Sequence, residues 1–336
     1  MKLWKSPVFY FGIALVLAVA AAFIAPYVID WGSYRMAIES YGSKVTGRQV
    51  SVKGDISARL FPWPKLSIRD VKVANPAGTF VPDFITAEEV DVRMTLAGLL
   101  GGEIRVESIA IVRPVVSFER LDTGLGTWHL KSSAGPDDMR YIDRIRLDQI
   151  TVSDGVVHLI DNRRAGRATI TGVNATLSAQ NIAGPWRMRG TAAYRERPVE
   201  IAVNTGAWSP EAPFKFGFRI ASAEGSGLVY QFDGANDGNH VTGNIKVHPS
   251  ASSDGRSDSE GQLRPLVMTA KVTSDFDTVA LDKIEIAPRE GSGESANLLT
   301  GSAEVKLGAS VALKADLKAT RFDLDTVAGA KAKSYS

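Results

Sequence analysis

The stretch LSIRDVKV, residues 66–73, sets apolar side chains at Leu66, Ile68, Val71 and Val73, in the order apolar-x-apolar-x-x-apolar-x-apolar. A spacing of two is strand spacing, because successive side chains of a strand point to opposite faces. The extra residue in the middle moves that alternation by one. A strand keeps both halves on one face only if it carries a bulge or a sharp bend there. The same pattern recurs as Ile104, Val106, Ile109 and Ile111 in IRVESIAI, as Ile145, Leu147, Ile150 and Val152 in IRLDQITV, and as Val279, Leu281, Ile284 and Ile286 in VALDKIEI. Recurrence of one unit along a chain marks an architecture in which each unit stacks on its neighbours. The expected fold is mainly β: an elongated, repetitive sheet of bent strands with one face kept apolar and a few short helices. Ordinary sandwich strands with bulges are the competing architecture.

Further strands flank these units. Val90, Val92, Met94 and Leu96 alternate before the Gly101-Gly102 break, and Val115, Val116 and Phe118 precede ERLDTGLGTWHL, whose Asp122, Gly124 and Gly126 are turn residues. Segments 156–160, 170–177, 199–203, 214–220, 228–232 and 241–247 continue the series. Two polar stretches separate larger blocks: KSSAGPDDMR at 131–140 and HPSASSDGRSDSEGQLRP at 248–265, the second expected as a flexible loop or linker. The expected organisation is an N-terminal β region over 30–130, a central one over 141–247, a C-terminal one over 266–328 and a tail at 329–336.

Ahead of the sheet, SPVFYFGIALVLAVAAAFIAPYVI, residues 6–29, contains no charge. Its strictly apolar part, from Val8 to Ile29, is about 33 Å long as a helix, enough for a hydrocarbon core of roughly 30 Å. Lys2 and Lys5 precede it, whereas Asp30, Arg35 and Glu39 follow it with mixed sign. The positive-inside rule then places the N-terminus in the cytoplasm and the body outside. Trp4, Phe9 and Tyr10 at one rim, with Tyr27 and Trp31 at the other, suit the headgroup level. A cleaved signal peptide is the alternative, with Ala18-Val19-Ala20 or Ala20-Ala21-Ala22 as processing site. Tyr34, Ala37, Ile38, Tyr41 and Val45 then fall on one face of a helix over 33–46, which Ser33 can cap and Gly47 can end. With Arg35, Glu39 and Lys44 on its polar face, this helix is expected to pack on the sheet, the alternative being a helix at the membrane surface.

Composition narrows the chemistry. The chain has 336 residues, 44% of them hydrophobic, which supports a sizeable core. It has no cysteine, so disulfides, thiol catalysis and thiolate metal sites are excluded. The net charge is +2 with both signs interleaved, which gives no nucleic-acid footprint. His129, His158, His240 and His248 have no partner at metal-ligand spacing. There is no G-x-S-x-G elbow, and GSGESA at 291–296 leads into a strand-like segment rather than a helix. Asp275 and Asp277 lack a glycine-centred calcium loop, and Glu88-Glu89 and Asp137-Asp138 are adjacent pairs suited to solvated turns. No catalytic residue, metal or cofactor is expected, and the chain is not expected to be an enzyme.

Residues 29–78, IDWGSYRMAIESYGSKVTGRQVSVKGDISARLFPWPKLSIRDVKVANPAG, resemble the N-terminal region of the AsmA family of inner-membrane-anchored envelope proteins. The marks are Asp30-Trp31, Thr46-Gly47-Arg48, Gly54-Asp55, Phe61-Pro62-Trp63-Pro64 and Asn75-Pro76. Looser matches are AEEVDVRMTLAGLLGGEIRVESIAIVRPVVSFER, the Gly126-Thr127-Trp128 turn, SDGVVHLID, LTGSAEVKL and ATRFDLDTV. The resemblance implies a membrane-tethered sheet folded lengthwise into a trough that serves phospholipid transfer between bacterial membranes and outer-membrane homeostasis. Its implied partners are the inner membrane, phospholipid as cargo and envelope proteins. On that basis Leu66, Ile68, Val71, Val73, Ile104, Val106, Ile109, Ile145, Leu147 and Ile150 become candidate lipid contacts. The alternative is a non-catalytic scaffold for outer-membrane protein biogenesis, in which the same residues form a closed core and a sheet edge recruits partners.

Overall fold

The computed structural model describes residues 28–100, 106–122, 126–128, 147–250, 266–288, 299–307 and 311–319, apart from 165, 180, 182, 210–211, 226 and 276, together with Tyr10 and Ile13. Most of the expected span at 6–29 lies outside these residues. So do Ile104, Ile145, His129, the segments 131–140 and 291–296, most of 248–265 and the tail at 329–336. No helix among the described residues is long and apolar enough to cross a membrane.

Among the described residues seventeen strands form one mixed sheet. Strands β1 (Val50–Val52) and β2 (Ile56–Arg59) lie end to end along β3 (Lys65–Ala74), which pairs with β4 (Asp83–Met94). Strands β5 (Val106–Val112) and β6 (Val115–Arg120) share the next position, antiparallel to β4 and parallel to β7 (Leu147–Asp161). From there each strand pairs antiparallel with the next in sequence. The series runs through β8 (Gly166–Ala179), β9 (Trp186–Tyr194), β10 (Arg197–Thr205), β11 (Phe214–Ser222) and β12 (Leu228–Asn236). It ends with β13 (Val241–Pro249), β14 (Leu266–Ser274), β15 (Thr278–Pro288), β16 (Leu299–Leu307) and β17 (Val311–Ala319). At roughly 4.8 Å between neighbouring strands, the sheet is about 67 Å from edge to edge if laid flat.

The bends fall where the eight-residue pattern requires them. In LSIRDVKV and VALDKIEI the fifth residue, Asp70 or Lys283, adopts a left-handed backbone with φ of 50° and 51°. In IRVESIAI the shift is a bulge: Val106 faces Met94, yet Ser108 faces Arg93. In IRLDQITV, Leu147 faces Ala179 and Ile150 faces Leu177, again one residue out of step. The structure adds two further copies, ITVSDGVV at 150–157 and ATITGVNA at 168–175, whose fifth residues Asp154 and Gly172 have φ of 53° and 58°. They sit side by side in β7 and β8, so the two strands bend together. Gly155 and small alanines at their inward positions hid them from a pattern built on large apolar residues.

A 3-10 turn, Trp31–Tyr34, leads into helix α1, Arg35–Thr46, which Gly47 closes in the left-handed conformation at φ 65°. Two expectations for this helix are corrected. No side chain caps α1 itself; Asp30 caps the 3-10 turn ahead of it, accepting from the Gly32 N–H at 3.0 Å, while Ser33 donates its hydroxyl to the Asp30 carbonyl at 2.7 Å. The polar residues Arg35 and Glu39 also face the sheet rather than solvent. The Val52 N–H donates to the Glu39 carboxylate at 2.7 Å, the Val50 N–H to the Ser43 hydroxyl at 2.9 Å, and the Arg35 guanidinium donates to the Val52 carbonyl. The physical reason is that α1 meets the outer edge of β1, where unpaired backbone groups need polar partners. Of the expected apolar stripe, Tyr34 and Tyr41 stay exposed, while Ile38, together with Trp31 ahead of the helix, packs on Val52, Ile56 and Ile68.

The sheet also returns on itself. Arg163, in the short turn after β7, donates to both carboxylate oxygens of Asp277 at 2.8 and 3.1 Å, and Arg120 lies 3.2 Å from the same group. Asp277 belongs to the β14–β15 turn, seven strand spacings from β7, about 34 Å in a flat sheet. A twist of roughly 20–25° per strand rotates strand direction by about 140–175° over that distance, so the far end of β14 arrives beside the near end of β7. Contact further requires the sheet to curl.

Candidate functional site

Directly opposed residues in paired strands lie on the same face, so the register traces one face across the sheet. Ile56 faces Ile68, which faces Val90, and the file continues through Ile111, Val152, Ala175, Gly190 and Ile201. It runs on through Ile220, Tyr230, Val247, Met268, Ile286 and Leu299 to Ala319 at the far edge. No charged residue interrupts it. The opposite face is polar from the start: Lys65 pairs with Asp91 at 2.7 Å, Lys72 with Asp83 at 3.5 Å, and Arg187, Arg189, Lys215 and Arg219 follow on β9 and β11.

A second layer over the apolar face would bury it, as in ordinary domains. Buried side chains recur along the sheet, Ala175, Ala192, Phe232, Ala270 and Ile284 among them, and beneath α1 Val52, Ile56 and Ile68 form a packed cluster with Trp31, Ile38, Leu66 and Val71. Farther along, Leu159, Tyr194, Tyr230 and Leu228 are 41–48% exposed on the same face. Exposed apolar side chains repeated along one face make it a candidate binding surface.

The candidate residues divide accordingly. Leu66, Ile68 and Val71 lie in the cluster beneath the helix, and Val73 is buried close by. Val106, Ile109 and Ile150 are half-buried on the open part of the face, and Leu147 stands opposite Ala179 in β7. Sequence inspection overlooked the aromatic run of this face: Phe232 stacks against both Phe216 and Phe218 with centroids 5.4 Å apart. The signal was present in FKFGFRI at 214–220, where three phenylalanines alternate.

A polar knot forms around the end of β6. Arg48 donates to the Asn75 side chain at 3.2 Å and to the Thr127 carbonyl, with its guanidinium 4.6 Å from the Phe84 ring centre. Phe84 meets Phe118 edge-on at 5.7 Å, and Phe118 meets Trp128 at 6.5 Å. Fully buried Glu119 accepts from the Phe80 and Val81 N–H groups at 2.7 and 3.3 Å and from the Asn162 amide at 2.6 Å. Thr127 locks onto it in both directions: its N–H donates to the Glu119 carbonyl and its hydroxyl accepts from the Glu119 N–H. Thr46-Gly47-Arg48, Asn75-Pro76 and Gly126-Thr127-Trp128, dispersed in sequence, thus meet in one place.

The AsmA family model matches residues 1–299. The chain belongs to the AsmA family. No curated protein and no solved structure matches it. In this AsmA-family chain the converging motifs are structural, holding α1 and the β6 end against the sheet. The matched region ends at the first residue of β16, so β17 lies beyond it. Among the described residues no group of three or more His, Asp or Glu could hold a metal. Asp275 caps its own turn, where the Thr278 and Asp277 N–H groups hold its carboxyl below the usual range.

Proposed function

We propose that this protein is anchored in a bacterial inner membrane by residues 6–29, with its N-terminus cytoplasmic and its sheet in the periplasm. There the curled sheet acts as an open trough that carries phospholipid between the inner and outer membranes and so sustains the outer membrane. The observation that carries this proposal is the unbroken apolar file from Ile56 to Ala319, with Leu159, Tyr194, Leu228 and Tyr230 left 41–48% exposed on the same face. Exposing an acyl chain to water costs about 0.8 kcal/mol per CH₂ group, so a lipid moves along an apolar surface far more readily than through solvent. Headgroups remain in water at the open side, no covalent step is needed, and the role is not enzymatic. Family membership and the Arg163–Asp277 return of the sheet both support the trough.

The test is a photo-reactive amino acid placed singly in the full chain, in cells whose phospholipid is radiolabelled. Labelled lipid should be captured at Leu159 and Leu228 on the apolar face and not at Thr191 or Gln231 on the opposite one. Capture of protein and no lipid at the apolar positions would replace the trough with the envelope scaffold.

A further inference from the structure

The last described strand, β17, has an outer side that no described strand meets. β17 pairs with β16 on one side only, no other described strand meets it, and all nine of its residues are exposed. We propose that β17 pairs antiparallel with β17 of a second copy, centred on Ala315, joining two sheets in a two-fold symmetric dimer. Such pairing is independent of what the apolar face carries.

The strand is self-complementary in one register. Centred on Ala315, Lys314 stands opposite the partner's Asp316 and Asp316 opposite the partner's Lys314, while Leu313 meets the partner's Leu317. Shifted by two residues one way, Lys314 faces the partner's Lys314; shifted the other way, Asp316 faces the partner's Asp316. Like charges directly opposite each other destabilise a strand pair, and opposite charges stabilise it. A shift of one residue sets the apolar face of one copy against the charged face of the other. The chain already pairs this strand by the same rule, with Lys314 facing Glu304 and Leu313 facing Val305 in β16. Lysines on an edge strand ordinarily deter pairing, but here the aspartate between them turns deterrence into selection of one partner and one register. A two-fold axis satisfies both charge pairs at once, as an isologous interface requires. Val311 and Leu313, each 70% exposed, and Leu317, 46% exposed, then join the apolar face of the partner, and the face runs unbroken through both copies.

Because the chain has no cysteine, a single introduced thiol reports the register. In the full chain, purified in mild detergent, Ala315→Cys should oxidise to a covalent dimer. Ala312→Cys should not, since its counterpart lies six residues along the strand, about 20 Å away. Adding Asp316→Lys or Lys314→Glu to Ala315→Cys should lower the cross-linked yield at least tenfold. Mixing the two charge-reversed chains should restore it, because each then faces its opposite. These positions are exposed, so circular dichroism should show every variant folded. An Ala315→Cys chain that stays monomeric with its introduced thiol free would overturn the proposal. Equal cross-linking from Ala312→Cys, or yields indifferent to charge reversal, would also overturn it and mark unspecific edge aggregation.

Discussion

At one edge of the sheet the outer backbone groups of β1 meet Arg35, Glu39 and Ser43 of α1, whereas at the other edge no described element meets the outer side of β17. On the first edge β1 is only three residues long, and polar side chains of α1 meet the Val50 N–H and both backbone groups of Val52. The second is nine residues long and carries its charges on the strand itself. The difference teaches that α1 does two jobs at once. Its polar residues finish a sheet edge, while Trp31 and Ile38 roof the first few apolar side chains. Beyond that roof Leu159, Tyr194, Leu228 and Tyr230 keep apolar surface exposed, and the outer backbone groups of β17 meet no described element.

The comparison is tested most severely by a charge on each side of it. Ile68→Glu sets an unpaired carboxylate inside the packed cluster and should destabilise the fold by about 3–5 kcal/mol. Leu313→Glu, on the open edge, should change stability by no more than about 0.5 kcal/mol. Urea unfolding midpoints of the two variants decide this; equal losses would mean that the apolar face is covered along its whole length. Next in size is Glu119→Ala, which strips the Phe80 and Val81 N–H groups and the Asn162 amide of their buried acceptor. The cost should be about 2–3 kcal/mol by the same unfolding measurement. Smaller again is Glu39→Ala, which leaves the Val52 N–H without its side-chain acceptor at the roofed edge. About 1 kcal/mol should be lost, visible as faster hydrogen exchange at the Val52 amide with no change at β17.

Much of this contrast was legible in the sequence, and what was missed has a physical pattern. The eight-residue unit announced strands, their single apolar face and the position of each bend, because those properties are set by neighbours along the chain. The copy at 168–175 escaped because Ala168 and Ala175 serve as inward residues where the strands are tightly curved. Arg35 and Glu39 were assigned to solvent because helical periodicity shows which residues share a face, not what that face meets. Arg48, Glu119 and Thr127 carried the family resemblance without announcing their contacts, since 79 residues separate Arg48 from Thr127. Asp277 looked like one of two loop carboxylates. Its partners lie more than a hundred residues away, brought near by the accumulated twist of seven strand spacings together with the curl of the sheet.

The smallest effect concerns that last contact, which ties the half of the sheet beneath the roofed edge to the half that ends in β17. The Arg163 hydrogen bond, with the charge of Arg120 beside it, holds the Asp277 carboxyl below its ordinary value of 3.8. A carboxylate whose folded pKa is depressed contributes stability above its unfolded pKa, about 4, and loses it as pH falls through the lower folded value. Neutral solutions should therefore keep the tie, and acidification below about 4 should release it. Spin labels on cysteines replacing Arg164 and Lys306 would report the spacing of the two halves by pulsed dipolar spectroscopy. A narrow distance distribution at pH 7 that broadens as the pH is taken progressively below about 4, with Asp277→Asn broad throughout, is the expected result. If Asp277→Asn stays narrow at pH 7, the curl is held by strand twist and the bulges alone. In that case the two halves owe their relation to the bent strands between them, and the ion pair records the curl without enforcing it.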